Sequence, residues 1–224
     1  MTPRGPFPLI DARVSSSSGP EQTRPVSPDN SDSSDRFVAL LRGINVGGRN
    51  KVPMAELRSA LTERGLSDVR TYIQSGNVVF GSDLEPAGLE VLVADVVRSS
   101  FGVESPTVVR SAADMRAVVE SAPSGFGGEP DSYHYDVIFL KDPLSAPDAM
   151  AVVKVRDGVD RAWEGAGCLY FARLSARRTQ SRLSSIMGTP AYRLMTIRNW
   201  RTVSTLTGMV GRSEADGSDG STSC

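Results

Sequence analysis

FVALLRGINVGG, at residues 37–48, begins with five consecutive apolar residues and ends in a glycine-rich turn. A continuous apolar run of this length is typical of a central strand that is buried on both faces. Pro53 follows shortly after the turn and suits the first position of a helix. The stretch therefore predicts a strand, a tight turn and a helix in succession.

The residues after Pro53 predict a pair of strands, two more helices and a fourth strand. Gly76-Asn77 separates two short apolar runs and indicates a tight hairpin. Ser111, followed three residues later by Asp114, predicts a capped helix. In chain order we predict a strand at 37–41, a helix from 53, strands at 69–75 and 78–80, a helix from 89, a strand at 107–109 and a helix through 119.

The same order of elements recurs in the second half of the chain. We predict a strand at 135–140, a helix at 145–154, strands at 159–163 and 168–174, a helix at 179–187, a strand at 194–198 and a last helix after Asn199. Each half thus has the order β-α-β-β-α-β plus a trailing helix, which is the order of the split βαβ fold. The fold class predicted is α+β, with two tandem ferredoxin-like lobes, each an antiparallel sheet with helices on one face.

Composition divides the chain into five parts. Residues 1–35 contain six prolines and eight serines, and residues 212–224 are polar, so both predict disordered tails. The stretch SAPSGFGGEP has the composition of a linker. We predict a first lobe at 36–121, a linker at 122–132 and a second lobe at 133–211.

The residue inventory excludes several classes of protein. The chain has two cysteines, Cys168 and Cys224, and one histidine, His134, so neither a disulfide partner nor a Cys/His zinc site is expected. No acidic cluster suggests a metal site, no cofactor motif is evident, and no apolar stretch is long enough to span a membrane. Few cysteines and no secretory signal predict a cytoplasmic protein.

The net charge of −1 conceals a basic segment near the carboxyl end. Residues 173–211 contain no Asp or Glu. Such a segment is an electrostatic footprint that favours anionic partners, although a solvated surface would explain it equally. Its seven arginines are residues 173, 177, 178, 182, 193, 198 and 201.

Three segments supply the candidate ligand-binding residues. A glycine-rich turn between strand and helix can direct backbone N–H groups at an anion, and a helix start after Arg198 can do the same. Each segment also has a purely structural explanation, as a tight connection, a hairpin turn or a helix cap. The predicted site residues are Arg42, Asn45, Lys51, Gln74, Asn77, Arg198 and Asn199.

These segments also carry a family resemblance. VALLRGINVGG at 38–48, KVPM at 51–54, YIQSGNVVF at 72–80 and MTIRNW at 195–200 are similar to the characteristic runs of an uncharacterised bacterial family, domain of unknown function 1697. The resemblance extends over about residues 36–210. It implies a two-lobed α+β protein of the ferredoxin-like kind, and it implies no established activity or catalytic residues.

The sequence leaves three functions open. The first is binding of an anionic ligand, either a nucleotide, a phosphate-bearing small molecule or a nucleic-acid backbone, in a basic cleft between the lobes. The second is an enzyme acting on a phosphorylated or carboxylated small molecule, with basic side chains as electrostatic stabilisers. The third is a protein-interaction module. We expect Arg42 and Arg198 to line the cleft, because both follow or end strands that precede an exposed turn.

Overall fold

The first half of the chain forms a four-stranded antiparallel sheet. The computed structural model describes residues 35–211, so the predicted tails at 1–35 and 212–224 lie outside the described residues, apart from Asp35. The elements are β1 (Asp35–Leu41), α1 (Met54–Glu63), β2 (Ser67–Tyr72), β3 (Asn77–Ser82), α2 (Pro86–Phe101), β4 (Thr107–Ser111) and α3 (Ala112–Glu120). The strand order is β2-β3-β1-β4, which places the apolar β1 in the interior of the sheet.

The second half forms another antiparallel sheet with the matching strand order, β6-β7-β5-β8. Its elements are β5 (Tyr133–Leu140), α4 (Ala146–Val152), β6 (Asp160–Gly165), β7 (Cys168–Leu174), β8 (Met195–Asn199) and α5 (Trp200–Val210). The protein is therefore of the mixed α+β class, as predicted. None of the helices within residues 35–211 is long and apolar enough to cross a membrane.

The predicted helix at 179–187 is wrong. Three short 3₁₀ segments stand between β7 and β8, at Ser175–Gln180, Leu183–Gly188 and Pro190–Leu194. Leu183 and Ile186 are both buried and lie three residues apart, which matches the threefold repeat of a 3₁₀ turn. Gly188 and Pro190 then prevent a longer helix from forming.

The prediction that helices cover one face of each sheet is also wrong. Phe37, Ala39 and Leu41 face a core shared with α1 and α2, whereas Val38 and Leu40 face a second core. Because successive strand residues point to opposite faces, a strand that is apolar throughout needs cover on both sides. Helices α3 and α5 supply that cover on the second side, between the two sheets.

The core between the sheets belongs to both halves of the chain. Tyr170 of β7 donates a 2.7 Å hydrogen bond to the carbonyl of Val118 in α3. Phe126, within the predicted linker, packs its ring edge-to-face against Tyr135, Tyr170 and Trp200. All described residues fall within one compact unit. A third core lies between the second sheet, α4 and the 3₁₀ segments.

Candidate functional site

The glycine-rich loop after β1 is held in place by two asparagine side chains. The Asn45 amide donates to the carbonyls of Val52 (2.9 Å) and Gln74 (3.0 Å), and its oxygen accepts from the Val52 N–H (2.9 Å). The Asn50 amide donates to the Gly43 carbonyl (2.9 Å). Both asparagines have positive φ, a conformation that Asn tolerates better than most residues. These hydrogen bonds therefore fix the conformation of the loop, and the Asn45 amide group is engaged in them.

A pocket of about 420 Å³ opens between this loop and the β2–β3 turn. Lys51 is the only charged residue among the described residues that line it. Helix α1 begins at the pocket, and its N-cap position is Pro53, which provides no side-chain hydrogen bond to the first turn. Glu56 of that first turn lines a different depression. Of the first-turn residues of α1, Met54 lines the pocket. The pocket thus combines one amine with the start of a helix, where the uncapped N–H groups carry partial positive charge. Its lining residues are Asn45, Gly48, Lys51, Val52, Pro53, Met54 and Gln74.

Arg198 lies elsewhere, buried where β8 meets the first sheet. It is only 8% exposed, and Nη2 donates to the carbonyls of Leu41 (2.6 Å), Ser75 (3.1 Å) and Gly76 (3.1 Å). Nε donates to Oδ1 of Asn77 (2.5 Å). Desolvation lowers the pKa of the guanidinium to about 10. Within the described residues, the acceptors around this charge are backbone and amide oxygens rather than a carboxylate.

The remaining predicted residues also hold the structure together. Arg42 donates to the carbonyls of Tyr192 and Met195 (3.1 Å to the latter), and its guanidinium lies 4.6 Å from the centre of the Tyr192 ring. Burial lowers the pKa of Arg42, while Tyr192 opposes that shift. Asn77 is fully buried. Asn199 caps α5, since its oxygen accepts from the Arg201 N–H (3.0 Å), as its predicted helix start implied.

Arg110 mirrors Arg198 across the two halves. Ser111, the N-cap of α3, pairs with Phe37 of β1, and Asn199, the N-cap of α5, pairs with Asp136 of β5. The two N-caps therefore occupy matching positions in the two sheets. Arg110 immediately precedes the first cap, as Arg198 precedes the second. Arg110 donates to the carbonyls of Leu140 and Gly167, which match the Leu41 and Gly76 carbonyls that Arg198 contacts.

A second pair of basic residues shows the same reciprocity. Arg42 reaches the carbonyl of Met195, the first residue of β8, and Lys141 reaches that of Thr107 (3.3 Å), the first residue of β4. Lys141 also pairs with Glu90. We call Arg42, Arg110, Lys141 and Arg198 the basic bridges. Sequence reasoning missed Arg110 and Lys141, although the position of Arg110 before a predicted cap was a usable signal.

The structure therefore divides the predicted site residues into two groups. Asn45, Lys51 and Gln74 lie together at the pocket beside α1. Arg42, Asn77, Arg198 and Asn199 lie where the two sheets meet, with their polar atoms directed at protein atoms. Within residues 35–211, no group of three His, Cys, Asp or Glu side chains is arranged to hold a metal ion.

Comparison with known proteins agrees with this architecture. The solved structure of the conserved bacterial protein SP0830 from Streptococcus pneumoniae is similar to this chain, with 28% sequence identity and a TM-score of 0.71. The similarity covers 80% of this chain and 100% of that one. Comparison with curated proteins gave no match. The family model for protein of unknown function DUF1697 matches residues 35–170, a range that includes the glycine-rich loop and the β2–β3 turn but not the MTIRNW run. The chain therefore belongs to the DUF1697 family.

Proposed function

We propose that this chain binds an anionic ligand in the pocket beside α1. The observation that carries the proposal is the start of α1, which has no side-chain cap and opens beside Lys51. Helix N-termini attract phosphate and carboxylate groups because unpaired N–H groups and the helix dipole both favour negative charge. The ligand class is a phosphate-bearing or carboxylate-bearing group.

Each lining residue has a distinct role in this proposal. The Lys51 ammonium neutralises the anion, and the exposed Gln74 side chain offers an amide donor from the opposite wall. Asn45 holds the loop and the β2–β3 turn at a fixed separation through its two donated hydrogen bonds. Arg42 and Arg198 contribute indirectly, because they fix the end of β1 from which the loop departs.

The pocket favours binding over acid–base catalysis. Among the described residues that line it, there is no Asp, Glu, His, Tyr or Cys side chain to serve as a general acid or base. An enzyme using this pocket would have to act through electrostatic stabilisation alone. We therefore place the enzymatic alternative second.

Two further proposals concern the origin of the two halves and the location of the protein. We propose that each half is a ferredoxin-like unit and that the halves arose by duplication, which the reciprocal basic bridges support. We also propose a cytoplasmic location, which the buried free thiol of Cys168 supports.

The test is calorimetric titration of wild-type protein and two variants with inorganic phosphate, ATP and citrate. Lys51→Gln should weaken binding about tenfold or more, because hydrogen bonds to charged groups contribute about 1.5–3 kcal/mol. Arg49→Gln is the matched control, since Arg49 is exposed on the same loop but does not line the pocket. Equal weakening by both variants would show only a general charge effect, and wild-type protein that binds none of the three anions would refute the proposal.

A further inference from the structure

A second basic pocket lies in the other half of the chain. It has a volume of about 430 Å³ and is lined by Lys154, Val155, Arg156 and Arg182. The first three belong to the loop between α4 and β6, and Arg182 stands between two of the 3₁₀ segments that replaced the predicted helix. Two segments that are distant in the sequence therefore contribute cations to one concave surface.

A buried carboxylate brings these two segments together. Oδ2 of Asp160 accepts hydrogen bonds from the backbone N–H groups of both Arg156 (3.0 Å) and Arg182 (2.8 Å). Asp160 is only 6% exposed, so this junction is part of the folded interior. Because the Asp160 carboxylate binds backbone N–H groups, it fixes the backbone of Arg156 and Arg182 without engaging their guanidinium groups.

The charge at this pocket is positive on balance, because the Asp160 carboxylate offsets only part of the charge of three lining cations. Within the described part of the chain, no hydrogen bond or ion pair joins Lys154, Arg156 or Arg182 to a carboxylate through its side chain. The 3₁₀ segment before Arg182 carries one more exposed arginine, Arg177, while Arg178 of the same segment interacts with the Asp136 carboxylate. Asp157 is the acidic residue nearest in sequence, and it does not line the pocket. Concentrated positive charge on a concave surface attracts anions and raises their local concentration.

We propose that this pocket is a second anion site that takes a phosphate group, carried by a nucleotide or by a nucleic-acid backbone. Arginine suits this ligand because its planar fork can donate two parallel hydrogen bonds to phosphate oxygens. Lys154 adds a point charge from the same loop. The site is separate from the pocket beside α1, since the two share no lining residue.

The experiment uses the full chain carrying Lys51→Gln, so that the pocket beside α1 contributes little. Binding of a fluorescein-labelled single-stranded DNA is measured by anisotropy, with ATP and inorganic phosphate as competitors. The additional double substitution Arg156→Gln/Arg182→Gln should weaken binding about tenfold or more. The control double substitution Arg116→Gln/Arg201→Gln, which removes two exposed arginines from α3 and α5, should change it less than twofold.

The competitors distinguish the source of the phosphate. Full displacement by ATP or phosphate indicates a small phosphorylated ligand, and steep salt dependence with weak displacement indicates a nucleic-acid backbone. Arg156→Lys/Arg182→Lys keeps the positive charge but loses the planar guanidinium groups. Its affinity should therefore lie between that of the double Gln variant and that of the protein with both arginines. The proposal is overturned if the two Gln double variants bind equally while sharing the wild-type thermal midpoint. It is also overturned if the Lys51→Gln protein binds neither the labelled DNA in anisotropy nor ATP or phosphate in calorimetric titration.

Discussion

Arg198 is a charged residue that is buried without an acidic partner among residues 35–211. Five hydrogen bonds from its guanidinium reach backbone carbonyls and the Asn77 side chain. An unpaired buried charge would be very costly, but oriented carbonyl dipoles replace much of the lost hydration. Leu41, Ser75 and Gly76 supply three of these carbonyls, so one side chain holds the end of β1 and the β2–β3 turn.

Replacing Arg198 should destabilise the protein strongly. In Arg198→Met the Leu41 carbonyl and the Asn77 oxygen lose a donor in a buried setting, and the Ser75 carbonyl loses one in a part-buried setting. Each loss in a buried setting costs about 1–3 kcal/mol. We expect a loss of about 3 kcal/mol or more in the free energy of unfolding, measured by urea titration. Arg201→Met, at an exposed position on α5, should stay within about 0.5 kcal/mol of wild type. Similar midpoints for the two variants would contradict the assignment of Arg198 as a structural bridge.

Ile73 adopts a conformation that its side chain disfavours. Its φ is 50°, in the left-handed region, and the residue is 52% exposed. Left-handed backbone costs an L-residue roughly 1–2 kcal/mol, and β-branched residues are the least tolerant of it. The strain lies at the turn next to Gln74, one of the proposed ligand contacts.

Ile73→Asn should therefore stabilise the protein, because Asn accepts positive φ at lower cost. We expect an increase of roughly 0.5–1 kcal/mol in the free energy of unfolding. Ile73→Val is the matched control, since it keeps the β-branch and should bring no gain. A destabilised Ile73→Asn protein would show that apolar contacts of the half-exposed Ile73 side chain outweigh the strain.

At the level of elements, helices α3 and α5 begin in the same way after the last strand of each sheet. Ser111 forms a full capping box with Asp114. Asn199 caps α5 through its oxygen, and its amide also reaches the carbonyl of Tyr135 (3.3 Å) on β5. The caps fix the points at which the chain turns from each sheet into the central core.

Asn199→Ala should cost on the order of 1 kcal/mol of stability, because it removes the acceptor for the first turn of α5. Asn199→Ser supplies another capping oxygen and should recover most of that loss. Urea titration of the two variants measures the difference. Unchanged stability in Asn199→Ala, accompanied by loss of anion binding, would instead assign this residue to a ligand site.

At the level of the whole molecule, the two halves share their central core. Val38, Leu40 and Val79 of the first sheet pack in one cluster with Phe139 and Tyr170 of the second. Each half alone would expose this apolar face to water, and the free-energy cost of that exposure is about 25 cal/mol per Å² of apolar surface. The basic bridges add polar contacts at the same junction. Folding of one half should therefore depend on the other.

A chain restricted to residues 35–211 should keep the thermal midpoint of the full chain and unfold in a single calorimetric transition. Residues 35–121 alone should bind a hydrophobic dye or aggregate, because α5 and the second sheet no longer cover β1 and β3. A separately folded, monomeric 35–121 fragment would show that the first half is an autonomous domain. A lowered midpoint for 35–211 would show that the excluded ends contribute to stability.

The sequence by itself determined the order of elements in the first half and most of the second. The apolar run of β1, the Ser111–Asp114 cap and the Asn199 cap act through neighbours a few residues away, so their effects are visible in a local pattern. The same patterns located the glycine-rich loop and the turn that border the pocket. The spacing of apolar residues gave a wrong prediction at 179–187. The three-residue repeat of a 3₁₀ helix is hard to distinguish there from the mixed three- and four-residue repeat of an α-helix.

Only the tertiary structure decided what the polar side chains do. Arg198 and Leu41 are 157 residues apart, and Arg42 and Met195 are 153 apart, so no local pattern could show that these arginines serve carbonyls of the opposite half. That each sheet is covered on both faces, with α3 and α5 between the two sheets, was likewise decided by packing between the halves. The physical reason is that hydrophobic periodicity and capping are short-range, whereas the partner of a buried charge depends on how distant elements pack together.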